Sequence, residues 1–249
     1  MLSRLALDAE ALLLPLVCLG CEQLVKSGGE PFCDVCRLEM RPLSAPRCER
    51  CGQTLDLWER RREKDGADTT AQERRRECGL CHGWPDALGS ARSAVWLEGP
   101  AKELVHALKY EGWTVAAKPM ARAIMRHCPP PKDAVLVPIP LGKTRLRERG
   151  HNQAAVLAEA LAEASGLPVA SLLQRDRETG TQTKLGPKQR YRNVVGAFRA
   201  SGIGQRAPVV LIDDVMTTGA TLCAAAEALR AAGAEQVSAV TFARAVQPH

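Results

Sequence analysis

The apolar pattern of this chain changes character near Leu88. Before that point apolar residues come in short pieces broken by glycine, proline and charge. After it, short apolar runs alternate with longer stretches of helical spacing. Ala91 to Leu97 reads as a strand, with Gly99-Pro100 as the turn after it. Ala101 to Tyr110 predicts a helix with Leu104, Val105 and Leu108 on one face. Val115 to Cys128 predicts a second helix, stopped by Pro129-Pro130-Pro131. Ala134 to Pro138 reads as a buried strand, His151 to Ser165 as a helix ended by Gly166, and Val169 to Leu172 as a short strand. A strand from Pro208 to Ile212, a helix through Ala232 and a strand from Gln236 to Phe242 complete the order. Strands alternating with helices imply an α/β fold, a parallel sheet flanked by helices on both faces. The expected organisation is a small first unit, residues 1–88, and a larger one, residues 89–249.

Composition narrows this picture. Of 249 residues, 45% are hydrophobic and 25% charged, the balance of a soluble globular protein. No apolar run reaches membrane-spanning length. The leucines around Leu12 to Leu16 are interrupted upstream by Asp8 and Glu10. They suit a short amphipathic helix rather than an export signal, so a cytoplasmic chain without membrane insertion is expected. A formal charge of +6 is compatible with a polyanionic partner, small or large.

The first unit has too little apolar content for a core, and its cysteines offer another way to fold. Eight of the ten form C-x-x-C pairs: Cys18/Cys21, Cys33/Cys36, Cys48/Cys51 and Cys78/Cys81. This is the ligand spacing of tetrahedral zinc, two pairs to a site, which predicts a double zinc ribbon holding two Zn²⁺. Disulfides would require an exported chain, and closely spaced pairs are poor staples. Sequential pairing, Cys18/Cys21 with Cys33/Cys36 and Cys48/Cys51 with Cys78/Cys81, is the simpler arrangement; an interleaved one stays open. Cys128 and Cys223 read as small buried residues. Between Gly52 and Cys78 lies a charged insert with Arg60, Arg61, Arg62, Lys64, Arg74, Arg75 and Arg76 among acids. It reads as a solvated loop, with a nucleic-acid-contacting arm as the alternative.

The chemistry concentrates in Pro208 to Leu222, PVVLIDDVMTTGATL. An apolar strand ends in two carboxylates, Asp213 and Asp214. Val215 and Met216 lead to a small, hydroxyl-rich turn, Thr217, Thr218, Gly219, Ala220 and Thr221, which opens a helix. Free N–H groups at such a turn suit a phosphate, and adjacent carboxylates suit the vicinal hydroxyls of a sugar or Mg²⁺ through water. The residues describe a sugar-phosphate pocket. No lysine follows Gly219, which excludes the GxxxxGK[ST] phosphate loop. A second basic segment follows the strand Ala134 to Pro138: Pro140, Lys143, Arg145, Arg147 and Arg149, read as a loop before a helix and suited to a diphosphate. Residues Leu172 to Ala200 are polar and carry Arg175, Arg177, Lys184, Lys188, Arg190 and Arg192. They read as a lid over the reacting sugar, or as a surface loop.

The turn resembles the phosphoribosyl-pyrophosphate (PRPP) motif of type I phosphoribosyltransferases. The whole chain resembles the ComF family, through the four cysteine pairs, VHALKY (Val105 to Tyr110), VPIP (Val137 to Pro140), RGHNQA (Arg149 to Ala154), Arg177/Thr179/Gln182, RNVVGAF (Arg192 to Phe198) and the Asp213-Asp214 turn. His151 stands where family chains usually have phenylalanine. That swap puts an aromatic packing contact in doubt and offers a pH-sensitive group instead.

The resemblance implies PRPP as ligand. Asp213 and Asp214 would sit on the ribose hydroxyls as the catalytic pair. Thr217, Thr218, Gly219, Ala220 and Thr221, with Met216 beside them, would hold the 5-phosphate. The Ile139 to Arg149 loop, through Pro140, Lys143, Arg145 and Arg149, would meet pyrophosphate carrying Mg²⁺. It also implies a role with single-stranded DNA in natural transformation, beside a helicase of the ComFA type. Displacement at ribose C1 is the reaction such a pocket would run. No acceptor-base segment is legible, so a transferase acting on an unknown base without DNA is the alternative.

Overall fold

The computed structural model describes residues 16–25, 30–55, 78–177, 196–201 and 207–245. The expected N-terminal amphipathic helix, the charged insert and most of the lid segment, with Thr179, Gln182 and Arg192, lie outside them.

Four parallel strands form the sheet, in the order β1 (Ser90–Trp96), β6 (Val237–Arg244), β5 (Val209–Met216), β2 (Val135–Pro138). The helices are α1 (Asp34–Glu39) in the first ribbon, then α2 (Gly99–Tyr110), α3 (Ala117–His127), α4 (Lys143–Arg149), α5 (Gln153–Ser165) and α6 (Ala220–Ala231). Along β5 the apolar residues alternate between two cores. Val210 and Ile212 pack with Leu104 and Leu108 of α2, Met120 and Ile124 of α3, and Leu157 and Leu161 of α5. Val209 and Leu211 pack on the other face with Leu222, Cys223 and Leu229 of α6. Both faces of the sheet are covered, which is why its strands read as continuous apolar runs.

Several boundaries move, each for a local reason. Gly99-Pro100 begins α2 rather than turning before it, because proline's fixed φ suits a first helical turn. The second expected helix starts as a 3-10 turn, Thr114–Ala116. The basic loop is partly helical: Gly142 caps α4 in an extended conformation and Gly150, at φ 76°, ends it. α5 starts two residues late because the Asn152 side chain caps it, accepting from the Ala154 amide at 3.1 Å. The short strand at Val169 reduces to one bridge with Leu136. Just after it β3 (Leu173–Arg175) pairs antiparallel with β4 (Phe198–Ala200), a ribbon absent from the sequence reading.

The cysteine-rich unit runs along the outer side of β1. The amides of Ala91 and Trp96 donate to the carbonyls of Arg50 (2.8 Å) and Arg41 (2.9 Å), and Pro42 bridges Val95. Cys18, Phe32 and Cys36 extend the core of the α2 face. Cys128 and Cys223 are buried, and burial pushes both thiols up to about 12, as expected of inert packing residues.

Candidate functional site

The cysteines gather sequentially. Cys18, Cys21, Cys33 and Cys36 form one cluster and Cys48, Cys51, Cys78 and Cys81 another, with all ligand atoms of each within 4.8 Å of one another. Tetrahedral Zn–S bonds of about 2.3 Å imply sulfurs about 3.8 Å apart. Sulfur pairs are found at 3.8 Å (Cys21–Cys33), 3.6 Å (Cys48–Cys81), 3.5 Å (Cys51–Cys78) and 3.9 Å (Cys78–Cys81). Backbone amides point at the ligand sulfurs, as thiolate ligation requires: Gly20 and Cys33 on Cys18 (3.4 and 3.2 Å), and Cys36 on Cys33 (3.4 Å). The donor sets therefore fit Zn²⁺ in both clusters.

A cleft of about 530 Å³ opens at the carboxyl ends of β5 and β2, where ligands bind in parallel α/β sheets. It exists because β2 stops at Pro138, level with Ile212, while β5 runs on through Asp213 to Met216 beside β6. Asp213, Asp214, Thr217 and Thr221 line it from β5 and the turn; Pro140, Arg145 and Arg149 line it from the segment after β2. Arg145 and Arg149 share one side of α4 by their i,i+4 spacing. Exposed Lys143 does not line the cleft. Met216 is buried in the α6-side core, and Ala220 packs there too. Thr218 and Gly219 form the back of the turn. The Trp84 indole N–H donates to the Thr218 carbonyl at 3.1 Å, and a Cβ on Gly219 would lie 2.3 Å from the Trp84 ring.

Lys109 at the end of α2 is the functional residue the sequence reading passed over. Its Nζ lies 2.5 Å from Oδ2 of Asp214, with the two side chains 19% and 3% exposed. Burial pushes Asp214 up, but the Lys109 ammonium and its hydrogen bond outweigh that and hold the carboxyl below its ordinary range. Asp213 goes the other way. Burial first, then the charge of Asp214 beside it, holds it well above the ordinary range. The Asp214 amide donates to Oδ1 of Asp213 at 2.9 Å. One carboxylate is thus paired and charged, and its neighbour retains a proton more strongly. Such a pair can accept from one hydroxyl while donating to another.

Arg149 is fixed on two sides. It donates to Oε1 of Gln153 at 3.0 Å, and its guanidinium lies 5.0 Å from the Tyr110 ring centre. His151 ties these elements together, its ring nitrogens 2.7 Å from the Leu108 carbonyl and 3.0 Å from that of Arg149. The position where the family resemblance predicts an aromatic packing contact is a polar tether here. Asn152 adds another, donating to the Ile139 carbonyl at 3.0 Å. Arg175, at the start of the expected lid, lines the cleft and lies over Phe198. Lys109 and Tyr110 both lie in the VHALKY stretch, but their type and place are those of an ordinary helix C-terminus, and only the fold brings them to Asp214 and Arg149.

Comparison with known proteins agrees with both halves. A double zinc ribbon domain family matches residues 9–82 and a phosphoribosyl transferase domain family matches residues 151–248. Competence protein ComFC of Streptococcus pneumoniae is 28% identical over 199 residues, covering 79% of this chain and 87% of its own. DNA utilization protein YhgH of Salmonella typhi is 33% identical over 168 residues, covering 64% and 74%. Competence protein ComFC of Bacillus subtilis is 30% identical over 218 residues, covering 86% and 85%.

Proposed function

The chain belongs to the ComF family, and on that premise we propose that its cleft binds PRPP with Mg²⁺ and that the protein handles single-stranded DNA during natural transformation. One observation carries the reading: the carboxylate pair, Thr217 and Thr221 of the turn, and Arg145, Arg149 and Arg175 line a single cleft at the sheet's carboxyl ends. PRPP presents matching chemistry, two anionic groups joined by a diol. In this reading Asp213 and Asp214 take the ribose hydroxyls, and the turn from Thr217 to Thr221 takes the 5-phosphate. Arg145 and Arg149 take the pyrophosphate. Lys143, in the same segment, is exposed outside the cleft lining and adds positive charge beside the arginines.

The cleft lining includes carboxyl oxygens, those of Asp213 and Glu148 among them, and hard ligands of this type would suit Mg²⁺. Mg²⁺ when bound supplies charge neutralisation on the diphosphate. The chain's own part in displacement at ribose C1 is to hold leaving-group charge on the arginines and keep Asp214 anionic near the ring. The division into residues 1–88 and 89–249, a cytoplasmic location and a helicase partner of the ComFA type complete the proposal. The names of the relatives, a competence protein and a DNA utilization protein, support the DNA role. Among the described residues no helix is long and apolar enough to cross a membrane.

Calorimetry of the zinc-loaded protein with PRPP and Mg²⁺ tests the reading, followed on the same sample by a screen of bases and oligonucleotides. Saturable binding that Asp213→Asn abolishes is expected, with retention of single strands that falls steeply with salt. Indifference to PRPP at millimolar concentration refutes the pocket. Pyrophosphate release with a free base and no retention of DNA supports a transferase without a DNA role.

A further inference from the structure

The second cysteine cluster touches the phosphate turn along two lines. The first runs through Trp84, three residues beyond Cys81. Its amide donates to the Cys81 carbonyl at 3.0 Å. Arg50, between Cys48 and Cys51 and 8% exposed, donates to the carbonyls of Trp84 and Pro85, both at 3.0 Å. The backbone of Trp84 is thus clamped to the cluster at both ends. Its indole faces the opposite way, donating to the Thr218 carbonyl and filling the space where a side chain at residue 219 would go. The second line runs through Arg244, 1% exposed and in register with Met216. Its guanidinium donates to the Cys51 carbonyl at 2.7 Å, and the next amide, Ala245, donates to the Met216 carbonyl at 3.0 Å. The first cluster packs instead beside α2.

We infer that the second cysteine cluster is the back wall of the anion site: Trp84 positions Thr218 and Gly219, so metal bound by Cys48, Cys51, Cys78 and Cys81 sets the shape and affinity of the turn. Gly219 sits at φ 80°, where a side chain is disfavoured. Glycine adopts this conformation without strain but has others open to it, and the indole acts as a brace, restricting the choice by bonding the Thr218 carbonyl and packing against Gly219. Trp84 is a positioning residue, since its indole meets the Thr218 carbonyl and does not line the cleft. This inference rests on reading the turn as a phosphate site, which is why its test has two independent readouts.

The full-length, zinc-loaded protein is compared with Trp84→Phe, which keeps a ring and loses the donor, and Trp84→Ala, which loses both. Zinc content, deuterium uptake of the peptide spanning residues 215–222, and PRPP affinity are measured for each. Trp84→Phe should retain both zinc ions and weaken PRPP about fivefold, the worth of one neutral hydrogen bond. Trp84→Ala should speed exchange at the turn and weaken PRPP by more than about tenfold. Cys78→Ser should reproduce the exchange result of Trp84→Ala. Unchanged exchange at the turn in both Trp84 variants overturns the inference, as does unchanged exchange in Cys78→Ser. A wild-type protein that ignores PRPP refutes the ligand assignment alone, and exchange still decides the brace. Should Trp84→Ala lose its zinc, Trp84→Phe decides.

Discussion

Replacing Lys109 by methionine removes one partner of a buried ion pair and keeps the bulk of the side chain. Asp214 then sits at 2% exposure with no ammonium beside it and with Asp213 as its acidic neighbour. Losing one member of a buried pair costs about 3–5 kcal/mol, because the remaining charge is left desolvated. For a chain of this size that corresponds to a fall in Tm on the order of 10 °C. The pH dependence separates this cause from a simple packing loss. In the wild type, Asp214 is held below its ordinary value of 3.8, so its stabilisation is present above that pH and is lost as pH falls through its native value. Without Lys109, burial is the largest remaining influence and raises Asp214, which then stabilises only while protonated. The deficit of Lys109→Met should therefore be small near pH 4 and grow as pH rises toward neutrality. Lys109 itself is buried, which lowers its pKa, but Asp214 more than offsets this and holds it above 10.5, so the difference persists to alkaline pH. Melting curves at pH 4.5 and pH 8 read both effects. Lys109→Met/Asp214→Asn should recover much of the loss, since no isolated charge remains. A deficit that does not change with pH, or a double variant no better than the single one, refutes the reasoning.

Three further outcomes follow from the same geometry. Asp213→Asn should abolish PRPP binding in calorimetry while raising the Tm of the unliganded protein. The wild-type carboxyl is held well above 3.8, so its protonated form is lost at a cost as pH rises, and the gain should grow upward from about pH 4. Gly219→Ala should destabilise by about 2–4 kcal/mol in denaturant titrations, combining a left-handed backbone with a Cβ 2.3 Å from the Trp84 ring. Arg149→Lys should keep the fold but weaken PRPP about tenfold by calorimetry, because lysine cannot keep both the Gln153 hydrogen bond and the planar contact with Tyr110.

The parallel sheet, its flanking helices and the sequential cysteine clusters were legible because each is written locally, as a period or a spacing. What escaped the sequence depends on distant contacts. Asp213 to Met216 look like the end of a strand, since the apolar run stops there. They continue it because β6 pairs with them as far as Met216↔Arg244. β3 and β4 are short and find each other only across a long segment, so no period marks them. Lys109 resembles any basic residue in a last helical turn. Trp84 looks like a stray aromatic after a zinc knuckle, and nothing near it in sequence announces that it backs a turn more than a hundred positions away. His151 invited a packing or titration reading and proved to be a tether.

The cysteine-rich unit lies against β1, the outermost strand, and occupies backbone groups there through Arg41, Pro42 and Arg50. A strand in that position is a template on which other chains can add. Severing the chain near residue 89 would therefore uncover an adhesive seam, and the catalytic-type half made alone should precipitate or form strand-swapped multimers. In this molecule the metal-bound module also acts as a hem that keeps the sheet from fraying into its neighbours.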